Sequence, residues 1–225
     1  MRCDWYAAGL GTRLLATDPD NLEDHELLGY LLALASPSTA PDIIVAMAEM
    51  LLKEFGNLPA VLEASPEEIG QLAVLEKGAV AALRFLKLSV VRLLRREVSS
   101  RPVLSDTEAV ADYLHARIAY APVEEFWVLF MNSQNELIRD ECFGKGTVDR
   151  VDTNPREILK RALDLRATGM ILAHNHPSGS LAPSRADIQL TRTIMEGGKL
   201  LHIIVHDHLI LSRQGHVSLR AKGLI

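Results

Sequence analysis

The sequence predicts an α/β chain in two parts: an all-helical segment over residues 1–100, then a mixed β-sheet with helices packed on it over residues 101–225. Three observations carry this. Before residue 100, apolar residues recur at spacings of three and four and strand signals are absent. After it, short apolar runs alternate with helical patterns. Between them, VSSRPVL (98–104) interrupts the helical pattern with serines and a proline. With 225 residues, 48% of them hydrophobic and 24% charged, the chain can bury one large core or two smaller ones.

In the first part, helices are predicted over EDHELLGYLLALA (23–35), APDIIVAMAEMLLKEF (40–55) and GAVAALRFLKLSVVRLLRRE (78–97). Gly56 stops the second of these. Ser65, Pro66 and Glu68 start a short helix with proline in its first position. In the second part, Ser105 with Glu108 reads as a capping box for a helix through about Ala119. Strands follow near 125–131 and 137–143, joined by the polar SQNE turn, with a shorter one near 147–151. Asn154 caps a helix opened by Pro155, with Glu157 placed to close its box. A strand over 169–174, a loop, a helix over 184–196 stopped by Gly197 and Gly198, strands near 200–205 and 208–212, and a final one near 216–220 complete the order.

Charge and composition narrow the partners. A net charge of -5 and a pI near 5.9 give no global attraction to phosphate backbones or acidic membranes, so nucleic-acid binding would need a local patch. The candidate is the run Arg84, Lys87, Arg92, Arg95, Arg96 and Arg101, opposed only by Glu97; such a run is more often a solvated helix face. Cys3 and Cys142 lie far apart without CxxC spacing, which argues against a disulfide framework or a thiolate zinc site and for a reducing compartment. The first twenty residues lack a secretory pattern. The most apolar long stretch, Gly78 to Leu94, contains Arg84, Lys87 and Arg92, which argues against a membrane span. A cytoplasmic location is the expectation.

The most informative segment is HNHPSGSLAPSRAD, residues 174–187. The apolar run Gly169 to Ala173 ends at His174, and strand alternation sends His174 and His176 to one side. Pro177, Gly179 and Pro183 force a loop, after which Ser184 opens a helix whose first turn carries Asp187. Two imidazoles and a carboxylate suit Zn2+, and three protein ligands leave a fourth position open, as in catalytic zinc sites. Ser184 and Asp187 also fit a capping box, and the two readings are compatible. His202, His206 and His208 add nothing the three ligands require, and Asn175, between the histidines, faces the other way.

The spacing HxHP(x6)SxxD after an apolar strand resembles the JAMM motif of the MPN-plus metallohydrolases. HNHPSG, the PS pair and the trailing aspartate are similar to the bacterial RadC family, also called UPF0758. EEFWVLFMNSQNELI (124–138), NPREILKRALDLRA (154–167) and DHLIL (207–211) extend the likeness across essentially all of residues 103–225. The resemblance implies the MPN fold and hydrolysis of a peptide or isopeptide bond by zinc-activated water. It places the family's glutamate, which moves the proton, at Glu124 beside Glu125; opposite strand faces allow only one of them to reach the water. It gives Ser184 the oxyanion. A peptide or protein substrate follows.

The helical part resembles the RadC N-terminal helices through NLEDHELLGYLLAL and LLKEFGNLPAVLEASPEEIG, which lead to a helix-hairpin-helix element. Here that hairpin is degenerate: AVLEKGA (73–79) lacks the glycine turn, and Glu76 puts negative charge where a phosphate would lie, which argues for weak or no direct DNA binding. The competing readings are a DNA repair, recombination or processing protein, which the family's name suggests, and a non-catalytic docking module, which the intact ligand set argues against.

Overall fold

A computed structural model describes residues 9, 11–15, 21–72, 75–146 and 153–225. The chain forms two compact units, Met1–Ser89 and Val90–Ile225.

In the first unit, α1 (Asp24–Ala35), α2 (Pro41–Phe55), α3 (Leu58–Glu63), α4 (Pro66–Leu72) and the start of α5 (Lys77–Ser99) bury one apolar face each. Leu28 and Leu32, then Ile44, Ala48 and Leu51, follow the three-and-four spacing and meet Val61, Ile69, Ala79 and Leu83 in one core. Gly56 ends α2 at φ +97°, a left-handed conformation that favours glycine. The expected helix start at Ser65 is a capping box, with Glu68 N donating to Ser65 Oγ at 3.1 Å and Ser65 N to Glu68 Oε2 at 2.8 Å. The six residues of α3 are too few to register as a period; their visible signal is the cap, where Asn57 Oδ1 accepts from Ala60 N at 2.8 Å. Of the altered hairpin, Ala73 and Val74 lie outside the described residues.

The expected boundary at VSSRPVL and the division between Ser89 and Val90 differ because α5 runs unbroken to Ser99 and its last turns bury Val91 and Val98 in the second core. The second unit continues with a 3-10 turn (Val103–Ser105), α6 (Thr107–Ile118), β1 (Glu125–Met131), β2 (Leu137–Lys145), α7 (Pro155–Asp164), β3 (Gly169–Asn175), α8 (Arg185–Leu200), β4 (Ile204–Ser212) and β5 (Gly215–Ser218). Among the described residues the sheet has five strands in the order β2-β1-β3-β4-β5, antiparallel except for the β3–β4 pair. It is therefore mixed, as expected.

Each sheet face has its own core. On one face, Trp127, Leu129, Met131, Ile171, Ala173, Leu209 and Leu211 pack with Val110, Tyr113, Leu114 and Ile118 of α6 and the end of α5. On the other, Phe126, Val128, Phe130, Met170, Leu172 and Val205 pack with Ile158 and Ala162 of α7 and Ile194 of α8. Alternation sorts the residues, and cover on both faces makes β3 buried throughout. On the first face Asp140 of β2 accepts from Tyr113 Oη at 2.5 Å and from Arg95 Nε at 2.7 Å.

Four local expectations are corrected. Asp106, not Ser105, caps α6 by accepting from Ala109 N at 2.9 Å; Ser105 Oγ donates to Pro102 O within the preceding turn. Asn154 caps α7 by accepting from Arg156 N one residue short of the box position, so the cap stands without the expected Glu157 box. Helix α8 passes through Gly197 and Gly198 to Leu200 because these glycines serve packing: a Cβ on Gly197 would stand 2.5 Å from Leu159 Cδ1, and one on Gly198 2.7 Å from Ile203 O. Strand β4 is continuous across the predicted break. Its polar run is a β-bulge, in which Met170 pairs with Val205 but Ile171 pairs with Asp207, leaving His206 extra. The strand expected near 147–151 lies outside the described residues. No helix among them is long and apolar enough to cross a membrane.

Candidate metal centre

Strand β3 is the third of five in the sheet, and its carboxyl end delivers two of the candidate ligands. His174 closes the buried run, and His176 keeps the strand's course because its N–H donates to Leu211 O at 2.8 Å. Loop residues Pro177 to Pro183 then turn the chain, and the first turn of α8 brings Asp187 back to the histidines. The candidate ligand atoms of His174, His176 and Asp187 all lie within 4.8 Å of one another. The two Nε2 atoms are 2.9 Å apart; Asp187 Oδ1 is 3.4 Å from His174 Nε2 and Oδ2 is 3.7 Å from His176 Nε2.

The chemistry of these donors fits a cation. His176 Nδ1 is 2.8 Å from Ser180 O, and a carbonyl only accepts, so this nitrogen carries the ring proton and a neutral ring turns its Nε2 lone pair to the cluster. Asp187 adds only lone pairs. Burial opposes an ionised Asp187, but its contacts with His174, His176 and Ser184 outweigh it and hold the carboxyl far below the usual range. Hydrogen bonding to Asp187 raises the His176 pKa against burial, with further contributions from Ser180 O and the Glu124 charge.

Glu124 and Glu125 separate as strand alternation requires. Phe126 pairs with His174 in the antiparallel register, and Glu124, two residues before it, lies near enough for its charge to raise the His176 pKa. The side chain of Glu125 takes the other course: Oε1 lies 2.8 Å from Lys145 Nζ, and Oε2 accepts from Trp127 Nε1 at 2.9 Å. The fully buried Asn175 fixes this junction. Its Oδ1 accepts from Glu125 N at 2.8 Å, and its Nδ2 donates to Val123 O at 3.1 Å and Ala121 O at 3.3 Å. The residue between the two histidines thus holds the backbone on both sides of Glu124.

Ser184 and Asp187 form a capping box as well as standing at the cluster. Asp187 N donates to Ser184 Oγ at 3.1 Å, and Ser184 N donates to Asp187 Oδ2 at 2.7 Å. The cap uses a lone pair of the Ser184 hydroxyl and leaves its hydrogen available to another acceptor.

Comparison with known proteins agrees with this arrangement. The family model described as a RadC-like JAB domain matches residues 104–224. A UPF0758 protein of Rhodobacter capsulatus is 39% identical over 216 residues, covering 96% of this chain and all of that protein. The chain belongs to the RadC (UPF0758) family. Its JAB domain coincides with the sheet and helices that assemble the His174, His176 and Asp187 group.

In this RadC-family chain, a histidine outside the motif joins the cluster. The local pattern gives His208 no more than a core or hairpin role, yet it is fully buried with its Nε2 2.8 Å from His174 Nδ1. Burial first, then the neighbouring His174, holds its pKa well below the ordinary imidazole value. His206 is the bulged residue of β4. The basic run over residues 84–101 is partly spent within the fold: Lys87 pairs with Glu63, Arg95 with Asp140, and Arg101 with Glu97 and Asp106, while Arg92 and Arg96 are exposed.

Proposed function

We propose that this chain is a zinc-dependent hydrolase that cleaves a peptide or isopeptide bond in a protein substrate. The observation that carries the reading is the convergence of His174, His176 and Asp187 on one point at the end of β3, with acceptors facing inward. Zinc bound by these residues would supply a Lewis acid and a water whose pKa is lowered to about 7. Glu124, set beside His176, takes the proton from the attacking water and returns it to the leaving amine. The Ser184 hydroxyl keeps its cap and donates its free hydrogen to the oxygen anion that develops on the carbonyl. Glu125 is excluded from proton transfer by its bonds to Lys145 and Trp127. Asn175 keeps Glu124 in place without touching the reacting atoms.

The test is a screen of zinc-loaded protein against unstructured peptides, isopeptide-linked peptides and single- and double-stranded DNA, with Glu124→Gln as control. Cleavage of an amide bond by the wild type and its loss in the control is the expected result. Cleavage of DNA alone, or amide cleavage that survives Glu124→Gln, would overturn the proposal.

A further inference from the structure

We infer that Thr191 and His208 are positioning residues that fix His174 in its Nδ1–H form and so present the Nε2 lone pair to the metal. This deepens the metal-centre reading above and rests on it for its consequence, though not for the hydrogen-bond order itself.

The order follows from one acceptor-only group. Thr191 lies one helical turn beyond Asp187 on α8, and its Oγ1 donates to the Asp187 carbonyl oxygen at 2.6 Å. With that hydrogen committed, the contact of 2.6 Å between Thr191 Oγ1 and His208 Nδ1 requires the ring nitrogen to be the donor. His208 is fully buried and its ring nitrogens meet Thr191 Oγ1 and His174 Nδ1, neither of them a carboxylate, so the ring carries one proton and has only a lone pair on Nε2. Across the 2.8 Å contact with His174 Nδ1, the proton must therefore sit on His174. Each step leaves one choice.

Burial keeps the sequence of donors from being rewritten by solvent. Thr191 and His208 have no exposed surface, and Phe126 closes the space between the rings, stacked on His174 with centroids 6.2 Å apart and edge-on to His208 at 5.5 Å. The relay also begins at the backbone of one ligand, Asp187, and ends on the ring of another, His174. The two are held at a fixed relation by a path that does not pass through the metal. Outer partners of this kind fix ligand tautomer and orientation, and their loss typically weakens metal binding by about 10- to 100-fold.

The experiment uses the full chain with Thr191→Val, which keeps shape and removes the hydroxyl, and Thr191→Ser, which restores it. Nitrogen-15 histidine spectra of the zinc-free protein read the ring protons directly, and competition with a chromophoric chelator reads zinc affinity. The expected wild-type spectrum has His174 protonated on Nδ1 alone. Thr191→Val should give a mixture of His174 forms and zinc binding weaker by about 10- to 100-fold, with Thr191→Ser close to wild type in both. A wild-type His174 protonated on Nε2, or a folded Thr191→Val with wild-type spectrum and affinity, would overturn the inference. Should Thr191→Val fail to fold, the wild-type spectrum alone decides it. If the wild type binds no zinc, the metal reading fails, and the zinc-free spectra still decide the relay.

Discussion

Two carboxylates of the second unit, Asp140 and Asp187, are both largely buried and shifted in the same direction, and they differ in what surrounds them. Burial opposes ionisation of both, and hydrogen bonds lower both. Asp140 is matched from within the protein. Arg95 supplies a permanent cation, and Tyr113, whose own pKa is pushed up by burial and by Asp140, supplies a hydroxyl that stays protonated. Asp187 faces His174 and His176, imidazoles that hold no permanent charge. A lowered pKa therefore does not distinguish a structural acid from a ligand; the permanence of its partners does.

The largest effect should come from exchanging ionised oxygen for amide at the two positions. Asp187→Asn should weaken zinc binding beyond the roughly 10- to 100-fold typical of an outer partner, while Asp140→Asn should leave zinc affinity unchanged in the same chelator titration. Zinc at about 100 times its Kd should stabilise the wild type by roughly 2.7 kcal/mol, a gain absent from Asp187→Asn. Equal zinc retention in both variants would erase the distinction.

Next in size is the split between adjacent glutamates. Glu124→Gln should lower turnover by about 10² to 10⁴, with zinc retained. Glu125→Gln should leave turnover nearly intact, since its partners are Lys145 and Trp127. Steady-state rates on the amide substrate found in the screen decide this; a large loss in Glu125→Gln alone would move the role by one residue.

The Asp140 side of the comparison is tested by stability. Asp140→Ala leaves the buried Tyr113 hydroxyl without its acceptor and releases the partly exposed Arg95, and should cost about 2 kcal/mol. Tyr113→Phe removes one hydrogen bond to a charged group and should cost about 1.5 kcal/mol. Because the folded pKa of Asp140 lies below the unfolded value, its contribution is complete above about pH 4 and is lost as pH falls through the folded pKa. The gap in urea midpoint between wild type and Asp140→Asn should therefore narrow on acidification below about pH 4. A gap that widens there would reverse the assignment.

The smallest effect concerns DNA. Arg95 is tied to Asp140, so the informative change is Arg92→Gln with Arg96→Gln, which leaves that pair alone. Binding should be weak, and the double change should reduce the slope of log affinity against log salt by up to about 0.9 for each lost phosphate contact. Tight binding at physiological salt that survives it would identify a different surface.

What is legible in the sequence follows from local geometry. His174 and His176 are related by strand alternation, and Asp187 by the first turn of a helix with a readable cap, so all three stand out within fourteen residues. Family likeness points to Glu124 over Glu125, while the engagement of Glu125 by Lys145 and Trp127 appears only in the fold. Gly197 and Gly198 read as a helix stop because their function, close approach to Leu159 and Ile203, depends on residues the local pattern does not contain. His208 and Thr191 are hidden for the same reason. Their contacts span 34 and 17 residues of sequence and exist only once β3 and β4 are paired.

That pairing gives the bulge at His206 a meaning beyond a local irregularity. Val205 and His208 are three residues apart, an odd interval, yet Val205 pairs with Met170 and His208 with Leu172, both on the α8 side of the sheet. The extra residue acts as a frameshift in the strand's two-beat alternation. Without it, Asp207 would stand opposite Leu172 and a carboxylate, not an imidazole, would meet His174. Gly169 makes room for the inserted side chain, since a Cβ there would stand 2.6 Å from His206 Nε2. One surplus residue, far from His174 in sequence, thus decides which chemical group the candidate metal centre receives as its neighbour.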